Sequence, residues 1–260
     1  MDLGLADKVA IVTGGSKGIG EAIVRTFLAE GAKVANANRS ATEGETMEAE
    51  YASQGKQCLF IQADLTAVDA CRHTVQTTLE RFGQIDIVIN NAGVNDEVGL
   101  EEGPEEFARS LERNLVHVYS MIHFALPHLK NSQGAIINIG SKVSVTGAGN
   151  TSGYAAAKGG INSLTREWAV DLANDKIRVN AVIPAETWTP LYDRLLQSLD
   201  DPQAAKKAIE QLIPLGRRFT TCQEIADMAV FLASNRSSHT TGQIIYVDGG
   251  YTHLDRKCTS

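Results

Sequence analysis

The sequence predicts an α/β fold in which helices cover both faces of a parallel sheet, all in a single domain. Three observations carry the prediction. Short apolar runs rich in β-branched residues, among them Lys8 to Thr13 (KVAIVT) and Gly134 to Ser141 (GAIINIGS), alternate with longer stretches of helical apolar spacing. These runs lack the polar alternation of a half-exposed strand, as strands buried on both faces do. The chain of 260 residues, 43% hydrophobic and 21% charged, has an ordinary globular balance, with no linker, repeat or low-complexity tract to divide it.

The first strand, Lys8 to Thr13, runs straight into Gly14-Gly15-Ser16-Lys17-Gly18-Ile19-Gly20. Ile19, Ile23, Phe27 and Leu28 then mark one face of a helix that Gly31 stops. Strand, glycine turn and helix is the setting in which a glycine motif binds a dinucleotide. Gly14, Gly18 and Gly20 let the backbone turn tightly, approach a pyrophosphate and pack helix on strand, and the helix start offers N–H groups to the phosphates. The turn from Gly14 through Ser16, Lys17, Gly18 and Ile19 to Gly20 is therefore a candidate cofactor site in a Rossmann-like, doubly wound sheet. An ordinary glycine-rich turn is the alternative. The spacing is unusual, with three residues between Gly14 and Gly18.

Lys33 to Asn38 is the second strand. A Rossmann-type site usually ends this strand in an acid that binds the adenosine ribose. Here Asn38 and Arg39 stand instead. Nothing repels a 2′-phosphate, and Lys17 and Arg39 are placed to pair with one, so NADP is expected to serve at least as well as NAD. Two solvated surface cations are the alternative. A helix over about 42–54 leads to the third strand, Lys56 to Leu65. Its end, Asp64-Leu65, offers a carboxylate to an adenine amino group or an N-cap to the next helix, Asp69 to Phe82. Gln84 to Gly93 is the fourth strand. It runs into Asn91, Ala92 and Gly93, small enough for a cofactor ribose to lie against the backbone, unless this is a plain turn.

Pro104 opens a long helix predicted to continue to about Leu129. Asn114 in its middle is mildly unfavourable unless its side chain has work to do. Gly134 to Ser141 is the fifth strand, and a helix follows to about Leu172. Lys176 to Pro184 is the sixth strand. The segment from Ala185 to about Pro214 is longer than a usual connection, as lids and binding loops are. Glu224 to Ala233 is a last helix and Gln243 to Asp248 a seventh strand.

A net charge of −7 argues against nucleic acid or an anionic membrane as partner. Cys58, Cys71, Cys222 and Cys258 are scattered without a C-x-x-C pair, which suits free thiols in a reducing compartment. The histidines, His117, His123 and His128 among them, lack ligand spacing, so no metal is expected. The first residues do not read as a signal peptide and no apolar run approaches membrane-spanning length, so a cytoplasmic protein is expected.

Tyr154 and Lys158, four residues apart in an Ala/Gly-rich helical run, share one helix face. A phenol ordinarily loses its proton near pH 10, and a fixed ammonium beside it moves that value toward the working range of a base. Ser141, just before the helix, supplies a hydroxyl to hold a substrate oxygen. Alone the pair is weak, since any long chain has a Tyr and a Lys at this spacing.

In order and spacing, TGGSKGIG at Thr13–Gly20, NNAG at Asn90–Gly93, Asn114, Ser141 and YAAAK at Tyr154–Lys158 resemble the short-chain dehydrogenase/reductase family over about residues 8–250. The resemblance implies a tetrad of Asn114, Ser141, Tyr154 and Lys158. Tyr154 would transfer the proton, Ser141 position the reacting oxygen, Lys158 lower the tyrosine pKa and bind the nicotinamide ribose, and Asn114 hold a water linking Lys158 to solvent. It implies a cofactor half over about 1–140, a catalytic and substrate half over about 141–260, and a homo-oligomer, a tetramer. Phe231, Leu232, Ile244, Ile245 and Tyr246 would be subunit contacts, or ordinary core. The family's P-G turn after strand six is Pro184-Ala185 here, while Thr187 and Thr189 keep positions that usually meet the cofactor.

NTSGY at Asn150–Tyr154, TREWAV at Thr165–Val170, VNAVIPAE at Val179–Glu186, PLGRRFTT at Pro214–Thr221 and VDGGYTHLDR at Val247–Arg256 are similar to the bacterial L-fucose dehydrogenases within that family. This implies oxidation of a sugar at its anomeric hydroxyl to the lactone. Asn95, Asp96, Glu97, Lys142, Asn150 and Glu186 would be hydroxyl partners, with Trp188 or Tyr192 packing on the pyranose. For each polar group a solvated loop position is the alternative. The tail at Tyr251–Arg256 would close over a site, or fray. A carbonyl or 3-ketoacyl reductase, and a nucleotide-sensing protein without chemistry, are the competing readings.

Overall fold

The structure, a computed structural model, describes residues 2–254. In chain order its elements are β1 (Val9–Thr13), α1 (Gly18–Ala29), β2 (Lys33–Asn38), α2 (Ala41–Ser53), β3 (Cys58–Gln62), α3 (Val68–Phe82), β4 (Ile87–Asn90), α4 (Gly103–Leu111), a π-helical turn (Glu112–Val116), α5 (His117–Ser132), β5 (Ala135–Ile139), α6 (Val143–Thr146), α7 (Ser152–Asp171), β6 (Arg178–Pro184), β7 (Thr187–Trp188), α8 (Pro190–Gln197), α9 (Pro202–Gln211), β8 (Thr220–Thr221), α10 (Cys222–Ala233) and β9 (Ile244–Val247). Seven strands form one parallel sheet in the order β3-β2-β1-β4-β5-β6-β9. This is the predicted doubly wound, single-domain α/β fold.

Alternation along each strand builds two cores. In β1, Ala10 and Val12 pack with Ile23 and Phe27 of α1 and Ile225 and Val230 of α10. Ile11, between them, faces Met121 and Ile122 of α5 and Ile161 of α7 on the other side. Every residue of β1 and β5 is buried, which is why these strands read as unbroken apolar runs. The sheet order reverses between β1 and β4, and the carboxyl ends of these strands open a crevice there, where such sheets bind ligands.

Three differences from the sequence reading matter. The helix expected from Pro104 to Leu129 is two helices joined by the π turn Glu112–Val116, which holds Asn114. A π turn adds a residue to the helical repeat and re-aims side chains, often at functional sites. The excursion after β6 is ordered rather than a plain loop. β7 pairs with β8, and α8 and α9 lie between them, their starts capped by the Thr189 hydroxyl and the Asp201 carboxylate. Leu232 lies in the core, whereas Ile244, Ile245 and Tyr246 are half-buried on the edge strand β9 and Phe231 is exposed.

Candidate active site

A groove of about 480 Å³ lies at the carboxyl ends of β1, β4, β5 and β6. Its floor is the glycine turn. Gly14 and Gly18 adopt positive φ, +66° and +57°, which side chains rarely tolerate. A Cβ on Gly20 would overlap the Gly14 carbonyl oxygen, so only glycine lets α1 start this close to β1. No side chain caps α1, whose first N–H groups are left to an outside acceptor. Asn91 locks the neighbouring turn: its Nδ2 donates to the Thr13 and Gly14 oxygens at 2.9 and 3.1 Å, and the Thr13 hydroxyl accepts from the backbone N–H of Asn91 and Ala92. A tight glycine cradle, an uncapped helix start and a long groove fit a dinucleotide.

Gly14, Lys17, Gly18, Ile19, Gly20, Asn38, Arg39, Asp64, Leu65, Asn91, Ala92, Gly93, Pro184, Thr187 and Thr189 all line this groove, as the sequence reading expected. Ser16 does not. It is buried, and its hydroxyl accepts from Asn36 Nδ2 at 2.9 Å. Lys17 lines the groove but is not free of partners, since its ammonium pairs with Glu43 of α2 at 2.5 Å. Asp64 is not the cap of α3: its Oδ1 accepts from the N–H and hydroxyl of Thr66, which hold its pKa below the usual carboxylate value.

The chemistry sits at the other end. Tyr154 and Lys158 rise from one face of α7, and the Ser141 hydroxyl after β5 hydrogen-bonds the phenol. Lys158 is buried, its Nζ donating to the Ile139 carbonyl at 2.8 Å and lying 5.5 Å from the Tyr154 ring centroid. Burial pushes its pKa down to about 8. Burial raises the Tyr154 pKa, Ser141 partly offsets this, and the Asp96 carboxylate adds to the rise. The sequence reading weighed only the lysine charge, whereas burial is the largest influence on the phenol here and acts in the opposite direction. From the π turn, Asn114 Oδ1 accepts from Val94 N–H at 2.7 Å and its Nδ2 donates to the Ser110 carbonyl at 3.0 Å. The carboxamide thus ties α4 to the turn after β4.

Of the expected sugar partners, Asn95, Ser141, Tyr154 and Tyr192 line the groove. Lys142 and Glu186 stand just behind. Their side chains pair closely, Tyr192 donates its hydroxyl to Glu186 Oε2 at 2.6 Å, and the Lys142 ammonium lies 4.1 Å from the Tyr251 ring centroid. Burial and Glu186 drive the Tyr192 pKa up. Trp188 is spent elsewhere, edge-on to Phe219 and under the Lys206 ammonium. Glu97 and Asn150 are exposed at positive φ and do not line the groove. In the tail, Tyr251 reaches the Lys142 ammonium, while Asp255, Arg256 and Cys258 lie outside the described residues. Sequence reasoning missed Arg113, His117 and Glu43. Arg113 pairs with Asp96 at 3.0 Å across elements, a contact no local pattern reveals.

Among the described residues no group of three or more His, Cys, Asp or Glu is placed to hold a metal ion, and no helix is long and apolar enough to cross a membrane. A Tyr/Lys helix face beside a glycine cradle at a parallel-sheet switch point defines a pyridine-nucleotide oxidoreductase. The family model described as Enoyl-(Acyl carrier protein) reductase matches residues 14–252, and the chain belongs to the short-chain dehydrogenase/reductase family. It is 40% identical to the L-fucose dehydrogenase of Mus musculus over 94% of this chain and 88% of that one, a mammalian relative rather than one of the bacterial enzymes the motifs suggested. Among solved structures it is similar to Cj0485 dehydrogenase, with TM-score 0.94 and 41% identity over 100% of both chains. It is also similar to the aldohexose dehydrogenase (AldT) of Thermoplasma acidophilum, with TM-score 0.88 and 31% identity over 98% of both chains.

Proposed function

We propose that this protein oxidises L-fucose, or an aldose of similar configuration, at the anomeric hydroxyl to give the lactone. The observation that carries the proposal is the polar cluster beside the Ser141–Tyr154 pair. Lys142, Glu186 and Tyr192 converge there with their charges matched, held in place by Tyr251 and Phe219. A substrate with several hydroxyls needs directed partners of this kind, and a site built of them rejects analogues without hydroxyls. The relatives named for L-fucose and aldohexose point the same way.

In this reading Ser141 and Tyr154 hold the anomeric hydroxyl, and Tyr154 takes its proton. The nicotinamide cofactor, NADP or NAD, supplies the hydride acceptor when bound. The glycine turn and the start of α1 bind its pyrophosphate, Asn38, Arg39 and Asp64 its adenosine, and Thr187 and Thr189 its nicotinamide end. Lys158, its charge weakened by burial, binds the nicotinamide ribose and passes the proton on, and Asn114 braces the loop behind it and holds a water on the path to solvent. The cofactor half thus runs to about residue 140 and the catalytic and substrate half from about 141. Assembly is through the edge strand β9 and Phe231 into a tetramer, which light scattering would report as four chain masses.

A 3-ketoacyl reductase is the second reading, favoured by the similarity of the chain to the 3-oxoacyl-[acyl-carrier-protein] reductase of Thermotoga maritima, 34% identical over 95% of this chain. Turnover of L-fucose, D-glucose, a ketoacyl thioester and a steroid alcohol with both cofactors separates them. The sugar reading expects L-fucose to have the highest kcat/KM. A ketoacyl thioester or steroid turning over faster than every aldose would overturn it.

A further inference from the structure

Among the described residues His117 is the one histidine that lines the groove. It is the first residue of α5, one turn beyond Asn114, and lines the groove with Gly93 and Lys158. Only 2% of its surface is accessible. Neither ring nitrogen makes a well-formed hydrogen bond among the described residues, and the Arg113 backbone offers the ring only a weak contact. A buried imidazole with no more than a weak backbone contact is costly, and native interiors rarely keep one so poorly matched. A phenylalanine or leucine would fill the same space without that cost, so packing does not explain the residue. The π turn just before α5 adds a residue to the helical repeat, which sets the register in which His117 lines the groove.

Lys158 is its charged neighbour. Burial and then the Lys158 ammonium push the His117 pKa down to about 4, while a weak backbone contact with Arg113 pulls the other way. At neutral pH the ring is therefore uncharged, one nitrogen carrying a proton and the other able to accept one. Arg113 itself is neutralised by Asp96 and Glu106. An uncharged imidazole beside a buried ammonium suits proton passage rather than charge pairing.

We infer that His117 is a relay residue that carries protons away from Lys158. The inference rests on Tyr154 and Lys158 being the proton-handling pair proposed above. As the substrate proton passes through Tyr154 to Lys158, the ammonium gives one of its own protons to a bridging water in the same step. That water gives one to the open ring nitrogen of His117, and the opposite ring nitrogen releases its proton to water in the groove. For each proton passed, one N–H bond forms and one breaks at lysine and at histidine alike, and the ring ends neutral as its other tautomer, which exchange with groove water resets between turnovers. No electrons move in these steps. In this role His117 acts through Lys158 and not on the reacting carbon.

The test compares His117→Phe with His117→Gln, which keeps a donor and an acceptor near the same place. Both variants are first checked for wild-type melting and NAD(P) binding by fluorescence. His117→Phe is expected to lower kcat by about a hundredfold, the low end of losing a proton-transfer group, with KM for sugar and cofactor within about twofold. Its solvent deuterium isotope effect should exceed that of the wild type, 4-methylimidazole in the buffer should restore part of the rate, and His117→Gln should lie between. An unchanged kcat and isotope effect in a folded His117→Phe would overturn the relay. A rise in cofactor KM at constant kcat would also overturn it, in favour of a cofactor contact. Should His117→Phe not fold, an unchanged isotope effect in His117→Gln overturns it alone. Tyr154→Phe is assayed alongside: full activity there defeats the proton-handling pair itself, whatever the His117 variants do.

Discussion

Whether Lys17 is available to a 2′-phosphate depends on Glu43. The ammonium of Lys17 sits at the adenosine end of the groove with Asn38 and Arg39, and Glu43 in the first turn of α2 already claims it at 2.5 Å. The hydrogen bonds from Lys17 and from Glu43's own backbone hold the Glu43 carboxyl below its usual pKa, so the pair is intact at neutral pH. A 2′-phosphate must displace this carboxylate or share the lysine with it, whereas NAD leaves the pair undisturbed. Glu43→Gln keeps the shape and removes the competing charge. The lysine and glutamate side chains are 49% and 38% exposed, so solvent screens the pair and its removal has a modest effect. The ratio of kcat/KM for NADP over that for NAD should rise about two- to fivefold, mainly through KM for NADP. The gain should shrink in 0.5 M salt, where the Debye length falls to roughly 4 Å. Arg39→Ala should move the ratio the other way by about tenfold, the value of a hydrogen bond to a charged group. Steady-state kinetics with both cofactors reads all three numbers. An unchanged ratio in Glu43→Gln, or a shift toward NAD, would show that Lys17 does not reach the phosphate.

Three further outcomes follow from the same geometry. Tyr154→Phe should lose about 10²–10⁴-fold in kcat while binding cofactor normally by fluorescence titration, since in the proposed function the phenol oxygen is the proton acceptor. Gly20→Ala should abolish cofactor binding and lower the melting temperature, because its Cβ overlaps the Gly14 carbonyl and forces α1 off β1. In cofactor-free protein Lys158→Met should melt higher than wild type at pH 7. Burial lowers the lysine pKa to about 8, so the folded state bears a charging cost on the order of 3 kcal/mol below that pH. The cost fades between pH 8 and about 10.4, the unfolded value, and the melting difference measured by calorimetry should fade with it.

Much of this was legible in the sequence because backbone constraints left few alternatives. The turn at Gly14–Gly20 demanded glycine, and the helical spacing of Tyr154 and Lys158 fixed their common face. The buried strands announced themselves by continuous apolar runs. What escaped depended on contacts between distant segments. The π turn at Glu112–Val116 has no local signature beyond Asn114 itself. Ser16 follows the glycines yet turns inward because Asn36, on the next strand, reaches it. Trp188 looked like a sugar platform, but Phe219 arrives some thirty residues later and occupies its edge. Glu43 read as one acid on a polar helix face, and His117 as one more histidine without ligand spacing. The Tyr154 pKa escaped for a related reason, since sequence shows the neighbouring lysine but not the depth at which both are buried.

The central claim is that these residues oxidise an aldose at its anomeric carbon. The most direct measurement is carbon NMR of L-fucose labelled at C1, incubated with the protein and NADP or NAD while absorbance follows the reduced cofactor. The account predicts that the C1 signal moves to that of the lactone and its acid, one equivalent for each reduced cofactor formed, and that Tyr154→Phe leaves it unmoved. Reduced cofactor without change at C1, or an inert sugar beside rapid turnover of a ketoacyl thioester, would contradict it.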